Sequence, residues 1–225
     1  MTIKYITDPQ VLKNIKTYQD INEKSNYIQS LQSDTNGNII GLYIYKETNA
    51  YNIILQYADT LQLLICESCK LTKIPKIKHL TYLDCTNNKI TELGVYPNLI
   101  YLDCFCNKIT ELGDYQRLTY LGCYHNQITE LGDYPNLTYL DCSYNQITKL
   151  GDYPNLTILT CDANKITELG NYRRLTILWC CGNQITELGD YQHLTTLSCS
   201  ENQITKLGDY PNLTTLHCYN NEITM

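Results

Sequence analysis

The stretch Leu137–Asn155, LTYLDCSYNQITKLGDYPN, decides the fold, because the chain repeats it with a strict period of 19 residues. Its opening leucine recurs at Leu61, Leu80, Leu99, Leu118, Leu137, Leu156, Leu175, Leu194 and Leu213, so the register runs through about three quarters of the 225 residues. A short fixed period is the mark of a solenoid, in which each unit is too small to bury its own apolar side and must stack on its neighbours. Counted from the leucine, the unit reads L-x-x-L-x-C-x-x-N-x-I-x-x-L-G-x-Y-x-x.

The x-L-x-C run alternates, so Leu140 and Cys142 are expected to point inward while Tyr139 and Asp141 point outward. Each unit then supplies one short strand, stacked in parallel about 4.8 Å from the next. Leu137, Ile147, Leu150 and Tyr153 complete an inward ring, and Gly151 follows Leu150 where a sharp turn is expected to need a positive φ. So short a unit leaves no room for a regular helix, and loops or single 3₁₀ turns are expected opposite the strands. The asparagine column Asn88, Asn107, Asn126, Asn145, Asn164, Asn183, Asn202 and Asn221 reads as buried amides that satisfy backbone groups of their own and neighbouring coils. The tyrosine column from Tyr96 to Tyr210 reads as packing.

With leucines, cysteine, asparagine and isoleucine in phase over eight coils, the unit resembles the leucine-rich repeat, L-x-x-L-x-L-x-x-N/C-x-L, with Cys in the sixth place. Its length is below the commoner range, and it is most similar to the short repeats of bacterial and amoeba-infecting giant-virus members of that family. The resemblance implies an α/β leucine-rich repeat solenoid, a horseshoe or arc with its parallel strands on the concave face. It also implies a non-enzymatic module that binds protein on that face.

Residues 1–38 do not follow the repeat and read as an N-terminal cap region. Asp8-Pro9 is an N-cap and first-turn pair, after which Val11, Leu12, Ile15 and Tyr18 share one face of a short helix. Asn22 to Asn26 reads as loop. Ile39–Thr60 admits two readings. It is either the second arm of a hairpin with Tyr27–Leu31 around Asn36-Gly37, or a divergent first coil with Ile39, Leu42 and Ile44 in the Leu, Leu and Cys places. The second is preferred, because Leu55 then stands six residues before Leu61, as in the regular coils. The solenoid is accordingly placed at 39–225, regular from 61, with an incomplete last coil at 213–225.

A net charge of −6 argues against a nucleic-acid phosphate backbone as the main partner. No apolar run approaches the roughly 18 residues that span a bilayer, and the opening MTIKYITDPQ lacks a secretory apolar core. The expected location is therefore the cytoplasm or another reducing compartment, the host cytoplasm for a viral chain. Nine of the twelve cysteines form one repeat column and read as small core hydrophobes, not a disulfide framework. The Asn-Leu-Thr sequons at Asn136, Asn155 and Asn212 are by-products of the repeat. Cys66-x-x-Cys69 has no second pair, His125 and His217 lie five coils apart, and the acidic column at Asp114, Asp133, Asp152, Asp190 and Asp209 lacks the glycine-rich loops of calcium repeats. No metal, cofactor or catalytic residue is expected, since no nucleophile–base pair or phosphate loop is present.

Recognition is left to the positions that vary within a constant frame, the third, fifth, seventh and eighth. Tyr82, Tyr101, Tyr120 and Tyr139 beside Asp84, Asp103 and Asp141 make an aromatic, acidic half, extended by Phe105, Tyr124 and Tyr144. Ile158, Ile177 and the only tryptophan, Trp179, make a less charged half. Tyrosine and tryptophan offer large rigid contact area, so these thirteen side chains are the candidate partner-binding residues, and a basic segment of a protein or peptide fits the acidic half. The alternative is a structural or self-assembling protein, a homo-oligomer formed through the C-terminal edge at Leu213, Leu216, Cys218 and Ile223.

Overall fold

A computed structural model of the chain describes residues 18–19 and 28–223. Twelve strands form a single sheet in chain order: β1 (Tyr18–Gln19), β2 (Ile28–Ser33), β3 (Ile39–Tyr45), β4 (Leu63–Glu67), β5 (Tyr82–Asp84), β6 (Tyr101–Asp103), β7 (Tyr120–Gly122), β8 (Tyr139–Asp141), β9 (Ile158–Thr160), β10 (Ile177–Trp179), β11 (Thr196–Ser198) and β12 (Thr215–His217). The first two pairings are antiparallel, and every pairing from β3 onward is parallel. This is a parallel solenoid that advances one strand per repeat.

Each coil is closed by ladders that run across the sheet edge. The Asn145 amide donates to the carbonyls of Cys123, Cys142 and Ser143 at 3.0, 3.0 and 3.2 Å, while its Oδ1 accepts the Ile128 N–H at 2.9 Å. One side chain therefore satisfies four backbone groups in two coils, and the pattern recurs along the asparagine column. Cys69 holds that place in an early coil, with its thiol 3.2 Å from the Glu67 carbonyl. A threonine ladder, not singled out in the sequence, lies at the second position, where Thr157 Oγ1 donates to the Thr138 carbonyl at 2.9 Å and Thr176 to that of Thr157 at 2.9 Å. The Tyr153 hydroxyl donates to the Gly132 carbonyl of the preceding coil at 3.2 Å, so the tyrosine column both packs and bonds. Opposite the strands, the Leu137 N–H closes a single turn onto the Tyr134 carbonyl at 3.0 Å. The sequon amides of Asn136, Asn155 and Asn212 donate to carbonyls of the coil before.

Leu140, Cys142, Ile147 and Tyr153 are fully buried, as are their counterparts in the coils that start at Leu80 to Leu175. All described cysteines are free thiols, and burial pushes the Cys142 thiol well above its ordinary pKa and that of Cys199 up to about 12. The buried thiols of the repeat column, Cys66 to Cys199, are core hydrophobes.

The glycine column has a different cause from the expected turn. Gly151 does not have a positive φ; a Cβ there would lie 3.1 Å from the Tyr153 ring, and one on Gly170 would lie 2.9 Å from the Tyr172 ring. At Gly151 and Gly170 the ring of the buried tyrosine two residues on occupies the space of a side chain, whereas a Cβ on Gly132 would lie an ordinary 3.6 Å from the Tyr134 ring. The left-handed backbone lies at the eighth position instead, at Asn87, Cys106, His125, Tyr144, Ala163, Glu201 and Asn220 with φ of 51–58°, and at Gly182 with φ 64°. There the chain leaves the strand and turns into the asparagine.

Both readings of Ile39–Thr60 coexist. Ile39–Tyr45 pairs antiparallel with β2, around a turn in which Asp34 Oδ1 accepts the N–H groups of Asn36 and Asn38 at 2.8 and 2.9 Å. The same strand pairs parallel with β4, Leu42 beside Leu64 and Ile44 beside Cys66. That step is 22 residues instead of 19, and the added length accommodates helix α1 (Ala50–Tyr57). Leu55 is not the ring leucine expected there. It is 53% exposed, because the helical period turns Ala50, Ile54 and Ala58 to the core and Leu55 away from it. The N-terminal helix and the loop Asn22 to Asn26 fall outside the described residues, apart from Tyr18, which lies in β1.

Candidate functional site

The parallel register determines which variable residues meet. Tyr82, Tyr101, Tyr120 and Tyr139 are aligned on β5 to β8, with Asp84, Asp103, Gly122 and Asp141 aligned two residues later. Strand spacing of about 4.8 Å is close to the thickness of an aromatic stack. The tyrosine rings take that geometry, with centroids 4.1, 4.2 and 4.4 Å apart and planes within 8°. Stacking consumes the ring faces. Tyr82 is buried, at 6% exposure, and Tyr101, Tyr120 and Tyr139 present edges and hydroxyls. Burial, then neighbouring phenols and Asp103, raise the Tyr101 phenol far above its ordinary pKa, so it is a neutral hydrogen-bonding group.

Beside this stack runs a strip of half-buried carboxylates. Asp84 Oδ1 accepts the Thr86 N–H at 3.0 Å, Asp103 Oδ1 the Phe105 N–H at 3.2 Å, and Asp141 Oδ1 the Ser143 N–H at 3.1 Å. No cation compensates them: among the described residues the one ion pair is Lys149–Glu168, both exposed. Burial, and next the Asp84 charge, push the Asp103 carboxyl up to about 7, while burial raises Asp84 and Asp141 above the usual carboxylate range.

Past the strip, Phe105 and Tyr124 pack tilted at 4.8 Å, and Tyr124 meets Tyr144 at 5.1 Å. Tyr144 is 52% exposed. Between stack and cluster lies a groove of about 330 Å³ lined by Asp103, Phe105, Tyr120, Gly122, Tyr124 and Asp141. The second half begins on the next strand, where Ile158 on β9 and Ile177 on β10 are aligned and half-buried, and Trp179 next to them is 46% exposed.

Residues outside the expected set also belong to this face. Tyr43 on β3 and Glu67 on β4 share the sheet face of Asp84, and burial raises the pKa of both. Asp162, raised by burial, accepts the Cys181 N–H at 2.6 Å. The 22-residue first step hides Tyr43 from a 19-residue count, whereas Glu67 holds the seventh position of the coil at Leu61. The sequence does carry a signal for Gly122, as the single break in a run of aspartates.

The acidic column Asp114, Asp133, Asp152, Asp190 and Asp209 is exposed and lies apart from the strand residues. Cys66 and Cys69 are buried, Cys66 in the core column. No group of three metal-ligating side chains converges among the described residues, and no helix among them is long and apolar enough to cross a membrane.

A family model described as Leucine Rich repeats (2 copies) matches residues 78–117, 116–154, 135–174 and 192–225. No curated protein matches the chain. Among solved structures, the functional domain of InlJ from Listeria monocytogenes, described as including a cysteine ladder, is 39% identical with a TM-score of 0.71, over 76% of this chain and 42% of that one. YopM from Yersinia enterocolitica is 28% identical with a TM-score of 0.61, over 72% of this chain and 42% of that one. A leucine-rich repeat protein of Leptospira interrogans is 25% identical with a TM-score of 0.70, over 84% of this chain and 56% of that one. The chain thus spans 42%, 42% and 56% of the lengths of these proteins. With the strand-per-repeat register, the asparagine ladder and the family match over more than half its length, the chain belongs to the leucine-rich repeat family.

Proposed function

We propose that the chain is a non-enzymatic interaction module that binds a protein or peptide across the outward face of its parallel sheet. The observation that carries this reading is the uncompensated acidic strip set between two aromatic surfaces, the Tyr82–Tyr139 stack and the Phe105–Tyr124–Tyr144 cluster. Half-buried carboxylates without counter-ions are costly in the free protein, and a basic partner segment would relieve that cost. Trp179, beside Ile158 and Ile177, supplies an apolar anchor on the same face. Family membership supports the interaction role, and the free thiol column supports residence in a reducing compartment such as the cytoplasm.

The test is affinity capture with the intact chain. The double variant Tyr101→Ala/Asp103→Ala loses the partner taken by the parent, and Asp152→Ala, on the exposed acidic column, retains it. Undiminished capture by the double variant, with an unchanged circular dichroism spectrum, sinks this site. A second reading, association through the β12 edge, draws on the exposure of Leu216 and Tyr219 there. A mass that rises with concentration in sedimentation favours it, and a constant monomer mass discards it.

A further inference from the structure

The column of fifth residues on the central strands reads Asp84, Asp103, Gly122, Asp141, aligned strand by strand. Glycine in a short central strand weakens it and is unusual unless something must approach closely. Here the missing side chain leaves a gap between two carboxylates that stand on the flanking strands β6 and β8, about 9–10 Å apart at the backbone from two strand spacings. Asp103 leans over the gap: a Cβ on Gly122 would lie 3.0 Å from its Oδ1. The edge of Tyr120 bounds the groove on one side and the tilted pair Phe105 and Tyr124 on the other.

The shape and charge of this groove select one kind of occupant. Its aromatic walls suit a slender apolar stem, and its two carboxylates suit a cationic head at the end of that stem. A calcium or magnesium ion would demand six or more oxygen ligands, and two carboxylates with aromatic neighbours do not supply them. Among the described residues no cation pairs with the carboxylates of the groove. The chain's described basic side chains fall outside the third, fifth and seventh positions of the regular coils, at places such as Lys108, Arg117, Lys149 and Lys165, and none pairs with Asp103 or Asp141.

Resting on the interaction role proposed above, we infer that the groove over Gly122 receives a single basic side chain, arginine or lysine, from an extended segment of the partner. The stem runs between Tyr120 and the Phe105–Tyr124 pair, and the head bridges Asp103 and Asp141. Gly122 is then a specificity residue, glycine because any side chain would stand where the guanidinium or ammonium group must enter.

The experiment uses the full chain, isotope-labelled, titrated by NMR with the peptide acetyl-Gly-Ser-Arg-Ser-Gly-amide and with its lysine and citrulline counterparts. Citrulline keeps the length and planarity of arginine and removes the charge. The arginine or lysine peptide is expected to move the Gly122, Asp103 and Asp141 amides, and the citrulline peptide to bind about tenfold more weakly, the loss of one charge-assisted contact. Asp141→Asn, close to isosteric, should weaken the basic peptides by about tenfold as well, and Gly122→Ala should abolish the shifts at the groove. Should Gly122→Ala fail to fold, Asp141→Asn carries the test. Equal binding of the citrulline peptide overturns the inference, as does the absence of any shift at millimolar peptide. Shifts confined to the surroundings of Trp179 overturn the groove but leave the outward face as the binding surface. Shifts confined to Asp114, Asp133 and Asp152 overturn both.

Discussion

At the scale of single residues, the repeat is held by a few side chains whose jobs are not interchangeable. Asn145 serves four backbone groups in two coils from a site 8% exposed. Replacing it with alanine strands those groups away from water, and Asn145→Ala is expected to cost about 1–3 kcal/mol in urea denaturation. A midpoint equal to the parent's refutes this role. The eighth position carries left-handed backbone in residues with a Cβ, a conformation that costs non-glycine residues roughly 1–2 kcal/mol. Gly182→Ala should therefore destabilise by about 1 kcal/mol, and Glu201→Gly should stabilise by several tenths up to about 1 kcal/mol in the same assay. A stabilising Gly182→Ala or a destabilising Glu201→Gly would show that the turn is not limited by φ. The asparagine role was legible in the sequence, because an invariant amide among apolar columns has little else to do. The glycine role was not, since a steric demand from Tyr153 on Gly151 exists only once the ring is packed.

At the scale of elements, the first coil shows how length decides local structure. Nineteen residues return the chain to the next strand through single turns, and the 22-residue first step admits the helix Ala50–Tyr57. Periodicity placed Leu55 in the core by analogy with later coils. The helix overrides that count and buries Ile54 completely. Ile54→Ala is expected to cost about 2–4 kcal/mol and Leu55→Ala less than about 0.5 kcal/mol, measured by thermal or urea unfolding. Similar costs for both would mean that the helix is not docked by this face. The hairpin and the first coil had looked like competing readings of Ile39–Tyr45. A strand has two edges, and this one uses both, β2 on one side and β4 on the other.

At the scale of the whole molecule, stacking identical positions multiplies whatever a single position carries. Four tyrosines become a continuous stack, and the aspartates beside them become a strip in which the charges of Asp84 and Asp141 add to the cost of ionising Asp103. Asp103 is shifted up to about 7 from an ordinary 3.8, so the folded chain retains a proton that the unfolded chain has already released. Its stabilising effect is fully present below the unfolded value and is lost as pH rises through about 7. Unfolding free energy should consequently fall between pH 5 and pH 8, and Asp103→Asn should flatten that fall. Raised values at Asp84 and Asp141 act in the same direction. A parent protein as stable at pH 8 as at pH 5 would contradict it.

The sequence by itself determined the solenoid, its strand positions, its inward and outward sides and its thiol core, because periodicity and burial preference are local properties repeated until chance is excluded. It also marked the positions free to vary. Tertiary structure decided what those positions do together. Registration at strand spacing turned Tyr82 from a contact residue into a buried member of a stack, and brought Tyr43 and Glu67 onto the sheet face of Asp84. It also made the gap at Gly122 a groove between two carboxylates. Stacking, desolvation and charge repulsion depend on distances between coils. A one-dimensional pattern states which residues share a column, and only the packed sheet sets how closely they meet.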